Sequence, residues 1–158
     1  MEPGTQRSRA KAERRTALVD AAITLFADRG FTDTSLEDIG SAAGVSGPAV
    51  YRHFENKQAV LAAILVGVST DLFDGGRAIL DRGADPLTTI AGLVATHVTF
   101  ALENAEVIRI QDRDLDKLGD DDRHAVRSAQ RAYVELWVGV LQELHRAEAA
   151  AALRTRAH

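Results

Sequence analysis

Asp112-x-Asp114-x-Asp116 is the nearest thing to a metal-binding motif in this 158-residue chain. A calcium loop on that spacing needs Gly at its sixth position and Glu at its twelfth. Those positions hold Lys117 and Arg123, which excludes it. The chain has no Cys, so disulfides, thiolate zinc sites and thiol nucleophiles are ruled out. No set of His and carboxylate residues stands at metal-ligand spacing, and no nucleophile motif occurs. The expectation is therefore a protein without catalytic activity, metal or cofactor. The chemistry left is that of binding. Ser46 to Lys57 carries hydroxyls, Tyr51, Arg52, His53 and an ammonium, and Arg109 and Arg113 stand one helical turn apart.

These groups must be held by helices. Apolar residues make up 46% of the chain and Pro occurs three times, with little strict apolar/polar alternation, which points to a globular, mostly helical protein. Leu18, Ala21, Ala22, Leu25 and Phe26 mark one face of a first helix from about Arg9 to a stop at Gly30. Thr34-Ser-Leu-Glu37 has the form of a capping box opening a second helix, which buries Leu36, Ile39 and Ala43 and stops at Gly44. Ser46 and Pro48 open a third that runs to about Phe54, and Asn56 caps a fourth that kinks or ends at Gly75-Gly76. Asp85-Pro86 begins a fifth, with Leu87, Ile90, Leu93, Val94, Val98 and Leu102 inward. Asn104 caps a sixth, through Val107, Ile108 and Leu115. Asp120, Asp121 and Asp122 start a seventh, with Val126, Tyr133, Leu136, Trp137, Val140, Leu141 and Leu144 on its apolar side.

Two helices as short as the second and third cannot stand alone in water. Packed on the first, with Ala42, Ala43 and Gly44 allowing a close crossing, they have the sequence form of a helix-turn-helix, whose second helix enters a DNA major groove. Net charge is −4, which weighs against a nucleic-acid partner, but the charge is uneven. Residues 1–57 hold eight basic and eight acidic residues, and five of the basic ones fall between Arg7 and Arg15. Arg7 and Arg9 read either as a minor-groove arm or as a solvated tail.

Leu25-Phe26, Gly30-Phe31, Thr34, Gly44-Val45, Tyr51-x-His53-Phe54 and Lys57, all within residues 14–65, resemble the N-terminal DNA-binding domain of the TetR family of transcriptional regulators. The resemblance implies an all-α fold. A helix-turn-helix domain with a basic arm spans 1–55, and a helical ligand-binding and dimerisation domain spans 56–158. It also implies that Lys57 clamps a phosphate, that Tyr51 and His53 touch the DNA backbone, and that Gly47, Pro48 and Ala49 lie against the bases. Those three residues lack the Arg, Asn or Gln forks that discriminate base pairs. Base reading then falls to contacts with thymine methyl groups, to Arg52 and to DNA shape. Thr34, Ser35 and Ser46 are further candidates for phosphate contact.

For the remainder, Phe73, His97, Phe100, Ile108, Arg109, Tyr133 and Trp137 line a ligand pocket in one reading and fill or border the core in the other. Arg109 and Arg113 suit an anionic head group such as that of an acyl-coenzyme A, although Arg113 can equally pair with Asp114 or Asp116. The expected partners are a double-stranded DNA operator, a small lipophilic or acyl-coenzyme A effector, and a second copy of the chain. Two alternatives are a constitutive DNA-binding protein without effector and a helical interaction protein without DNA binding. No apolar run reaches the roughly 18 residues of a membrane span, and the first fifteen residues lack a signal-peptide core, so the expectation is cytoplasmic with no membrane partner. The helical pattern continues to Ala157-His158, so either the last helix dimerises or the chain goes on.

Overall fold

The computed structural model describes residues 3–156, which form α1 (Pro3–Arg29), α2 (Leu36–Ala43), α3 (Gly47–His53), α4 (Lys57–Leu80), α5 (Pro86–Glu103), α6 (Ala105–Asp114), a 3-10 turn (Leu115–Lys117) and α7 (Asp120–Arg156). There is no strand among the described residues. The last two positions of the expected C-terminal helix, Ala157-His158, lie outside them. The chain packs as two compact units, residues 1–67 with 105–123, and residues 68–104 with 124–158. This grouping follows packing rather than chain order, and so differs from the division expected at residue 55.

The first unit is built on α1, which buries Leu18, Ala22 and Phe26. Around them lie Phe31, Leu36 and Ile39, Val50 of α3, Phe54, and Val60, Leu61, Ile64 and Leu65 of α4. Val107 and Ile110 of α6 complete this core, and Leu118 is buried in the same unit. Fully burying each such Leu, Ile or Phe contributes about 1.5–3 kcal/mol. At the end of α1 the Arg113 guanidinium donates to the Phe26 carbonyl and, from Nε and NH2, to the buried Asp114 carboxylate at 2.9 and 2.8 Å. Arg113 is thus engaged in the scaffold, through the pairing with Asp114 rather than Asp116.

Several expectations change. α1 starts at Pro3, so Arg7 and Arg9 sit in a helix rather than in an unstructured tail. The N-cap of α2 is Ser35, not Thr34: Asp38 N–H donates to Ser35 Oγ and Ser35 N–H to Asp38 Oδ2, both at 3.0 Å. Thr34 is 2% exposed, and its hydroxyl donates to the Gly30 carbonyl at 2.8 Å. The close crossing of α2 and α3 occurs at Gly40, where an added Cβ would stand 2.6 Å from Val50 Cγ2 and 3.1 Å from the Val45 carbonyl oxygen. Ala42 is exposed. Gly44 serves the turn instead, since at φ 68° it adopts the left-handed conformation that leads the chain out of α2.

In the second unit, α4 passes through Gly75 and Gly76 without ending. Gly76 lies against Tyr133 and Leu136 of α7, where a Cβ would meet the tyrosine ring at 2.9 Å. α4 is also long and apolar enough, by length and composition alone, to cross a bilayer, although Val60, Leu61, Ile64, Leu65 and Ile79 are buried in protein. Asp71 and Asp74 interrupt this stretch, which hides it from a search for unbroken apolar runs. Asp85 caps α5 as expected, accepting from Thr88 N–H at 3.0 Å. Leu93 is buried there, whereas Leu87, Val94, Val98 and Leu102 face solvent. Leu141 of α7, expected inside, is also exposed. Asn104 donates to the Phe100 carbonyl and closes α5.

Gly40→Ala is expected to destabilise the protein by about 1–3 kcal/mol, because β-branched Val50 cannot swing away and the Val45 carbonyl stands behind it. Urea denaturation of the full chain measures this, and a change under about 0.5 kcal/mol would show that the crossing adapts.

Candidate nucleic-acid interface

α3 sits on the first unit through Val50, which is buried, while Gly47, Pro48, Tyr51 and Arg52 are exposed and Ala49 is half-buried. Ser46 precedes the helix as its N-cap without a side-chain capping bond, so its hydroxyl is left to other uses. The outer surface of α3 is therefore slim and polar at its start and longer at its end. Nothing in Gly47-Pro48-Ala49 offers a forked donor or acceptor.

Beside the end of α3 the starts of α2 and α4 border a groove of about 540 Å³ that includes Ser35, Glu37, Tyr51, Asn56 and Lys57. Each element end has a local cause. Ser35 and Asp38 cap α2, and their bonds hold the Asp38 carboxyl below its ordinary range, aided by Arg29. Asn56 caps α4 by accepting from Ala59 N–H at 2.9 Å. Lys57, at the first position of α4, reaches back: its ammonium donates to the Phe31 carbonyl at 2.6 Å and lies 4.3 Å from the Phe31 ring centre. Tyr51 is 55% exposed, and its hydroxyl donates to Glu37 Oε1 at 3.0 Å. That donated bond first, and then the charge of Glu37, push the Tyr51 pKa up, so the phenol stays a donor.

His53 stands differently. Its Nδ1 is the one buried side-chain polar atom without a partner among the described residues. Burial first, then Lys11, Arg14 and Arg15 of α1 and Arg52 of α3, hold its pKa below 6.5. Sequence reasoning did not find this cluster. The charge run from Arg7 to Arg15 was visible, but nothing in the local pattern tied it to His53. Glu37 was missed too, since a contact across fourteen residues has no local signal.

In the second unit the structure brings four of the expected pocket residues together. His97 Nδ1 lies 3.1 Å from the Tyr133 hydroxyl with the rings stacked at 5.8 Å, and Trp137 stands edge-on to both at 6.2 Å. Phe100 lies 6.4 Å from His97. Phe73 is half-buried and joins no ring pair among the described residues. Ile108, half-buried, and Arg109, exposed, belong to the first unit.

A short helix seated on two others by one buried valine, with its polar side outward, defines a helix-turn-helix module. Residues 18–64 match "Bacterial regulatory proteins, tetR family", and residues 83–157 match "Tetracyclin repressor-like, C-terminal domain". The HTH-type transcriptional repressor KstR2 of Rhodococcus jostii (strain RHA1) is 35% identical over 133 residues, covering 84% of this chain and 65% of that protein. The ketosteroid transcriptional regulator KstR2 of Mycobacterium tuberculosis has a solved structure with a TM-score of 0.72 at 27% identity, covering 82% of this chain and 67% of that one. A tetR-family regulatory protein from Rhodococcus RHA1 superposes with a TM-score of 0.78 at 20% identity over 85% of this chain and 71% of that one, a likeness of fold. The chain belongs to the TetR family. It spans 65% of the length of the first two KstR2 relatives.

The unfolded chain takes up a proton on His53 near pH 6.5, whereas the folded chain resists it, so stability falls as pH drops below that value. His53→Gln is expected to lose less stability than the parent between about pH 7 and about pH 5 in thermal denaturation. Superimposable pH profiles would remove His53 as a source of the loss.

Proposed function

We propose that the protein is a transcriptional repressor that binds a near-palindromic DNA operator as a homodimer and releases it when a small lipophilic or acyl-coenzyme A compound binds. The DNA-binding domain is residues 1–55 and the helical domain residues 56–158. The observation that carries this reading is α3 itself, with Val50 buried and Gly47, Pro48, Tyr51 and Arg52 exposed. The KstR2 relatives are transcriptional repressors, which supports it. Val134, Val138 and Leu141 form an exposed apolar stripe on α7 that suits pairing with an identical stripe. In such a dimer the two α3 helices engage successive major grooves about 34–36 Å apart, and a ligand acts by changing that separation. The cluster of His97, Phe100, Tyr133 and Trp137 supplies aromatic surface and one polar pair for the ligand.

On the DNA side, the Lys57 ammonium has three donors and the Phe31 and Thr32 carbonyls occupy two, so a phosphate can be met by the third without breaking either bond. Its position in the first turn of α4 adds the helix dipole. The Tyr51 hydroxyl must exchange Glu37 for a phosphate oxygen. Ser35, Ser46 and His53 complete the backbone contacts, and Gly47, Pro48, Ala49 and Arg52 face the bases. Thr34, being buried, supports the turn before α2 and leaves the set.

Operator selection from a random duplex library tests the reading: recovery of a two-fold symmetric site supports it, and no enrichment sinks it. On the recovered operator, Lys57→Ala is expected to weaken binding and lower the slope of log affinity against log salt by about 0.9 per lost contact. Glu37→Gln is expected to tighten binding to any duplex, since it removes a carboxylate beside the phosphate path and loosens its hold on Tyr51. Unchanged affinity would show that Tyr51 does not make the exchange. A panel of fatty acids and acyl-coenzyme A thioesters should include a compound that releases the operator. If none does, the constitutive reading replaces the ligand-responsive one.

A further inference from the structure

We propose that Arg7, Lys11, Arg14 and Arg15 of α1, continuing the positive edge that Arg52 of α3 presents to the bases, form a second phosphate-binding surface that grips the backbone of duplex DNA beside them. This rests on the DNA-binding reading above. The four α1 residues recur at the i, i+4, i+7 and i+8 spacing that places them along one side of a helix. Residues 5–16 are exposed apart from half-buried Ala10, so this part of α1 fills no core. Glu13, the one carboxylate between Arg7 and Arg15, lines with Ala10, Arg14 and Ala17 a groove beside the turn between α2 and α3.

None of the five cations has a carboxylate within ion-pair distance among the described residues. Carboxylates outnumber basic residues in this chain by 23 to 19, so such a concentration of unpaired like charge must repel itself until a polyanion neutralises it. Arg14 lines one groove with Ser46 and Ala49, and the Arg15 guanidinium lies over the Phe54 ring just past α3, so α1 and α3 share one surface, on which Lys11, Arg14, Arg15 and Arg52 add to burial in lowering the His53 pKa. From Arg7 to Arg15 the helix rises about 12 Å. That is the axial rise of three to four base pairs at about 3.4 Å each. An anionic membrane would call for large apolar residues beside the cations. The neighbours here are Ser8, Ala12 and Thr16.

The test measures fluorescence anisotropy of the full chain on two duplexes, the selected operator alone and the same operator extended at both ends. Lys11→Gln/Arg14→Gln spares Arg15, whose guanidinium lies 4.7 Å from the Phe54 ring centre. On the extended duplex this variant is expected to lower the salt slope by about 1.8 per protomer, and to lose the affinity gained from the extension. Arg7→Gln/Lys11→Gln, at positions free of core contacts, should behave alike, with circular dichroism confirming that both variants fold. Parental slope and affinity in both variants overturn the surface while leaving DNA binding by α3 intact. Absence of duplex binding by the parent chain overturns the DNA reading itself. Equal, mutation-sensitive binding to phosphatidylglycerol vesicles overturns the assignment to DNA.

Discussion

A seven-residue helix has too few internal hydrogen bonds to persist in water, so α3 exists only where its neighbours hold it. That support is the crossing at Gly40, where the missing side chain lets Val50 descend until it is buried. The rest of the surface around α3 depends on this contact. With Val50 seated, Tyr51 and Arg52 must face outward, Tyr51 comes within reach of Glu37, and the chain leaves α3 at Phe54 in time to start α4 at Lys57. One steric allowance on α2 thus orients side chains from three helices.

The charged groups around this surface fall into two kinds. Lys57 and Tyr51 have partners inside the protein, the Phe31 carbonyl and Glu37, so both side chains wait in defined positions and lose little freedom on meeting a phosphate. Arg7, Lys11, Arg14 and Arg15 of α1 have no carboxylate partner among the described residues, and the last three add to burial in lowering the His53 pKa. The first kind favours a fixed register on the duplex. The second favours attraction over distance, weakened by salt.

Features governed by near neighbours in the chain were legible in the sequence. Asp85, Asn56 and Gly44 end or begin helices where expected, because a cap or a left-handed turn is decided within four residues. The spacing of Tyr51, His53 and Lys57 likewise located the candidate interface. What escaped was set by packing. Ser35 and Thr34 are both good caps, and only burial of Thr34 against α1 chooses between them. Leu87, Val94, Val98 and Leu102 have helical periodicity, but periodicity does not say what lies opposite, and within one chain that is solvent. Gly75-Gly76 read as a kink or an end because the closeness of Tyr133, nearly sixty residues later, has no local trace. The engagement of Lys57 with the Phe31 carbonyl, twenty-six positions back, was hidden for the same reason.

The bond from Arg113 to the Phe26 carbonyl joins positions eighty-seven residues apart. The core around α1 therefore remains unfinished during synthesis until α6 has left the ribosome, long after the module formed by α1, α2 and α3 has emerged. An excised N-terminal fragment would bare the apolar patch that Val107 and Ile110 help to close. The order of translation thus makes the nascent module dependent on a helix encoded in the second half of the chain.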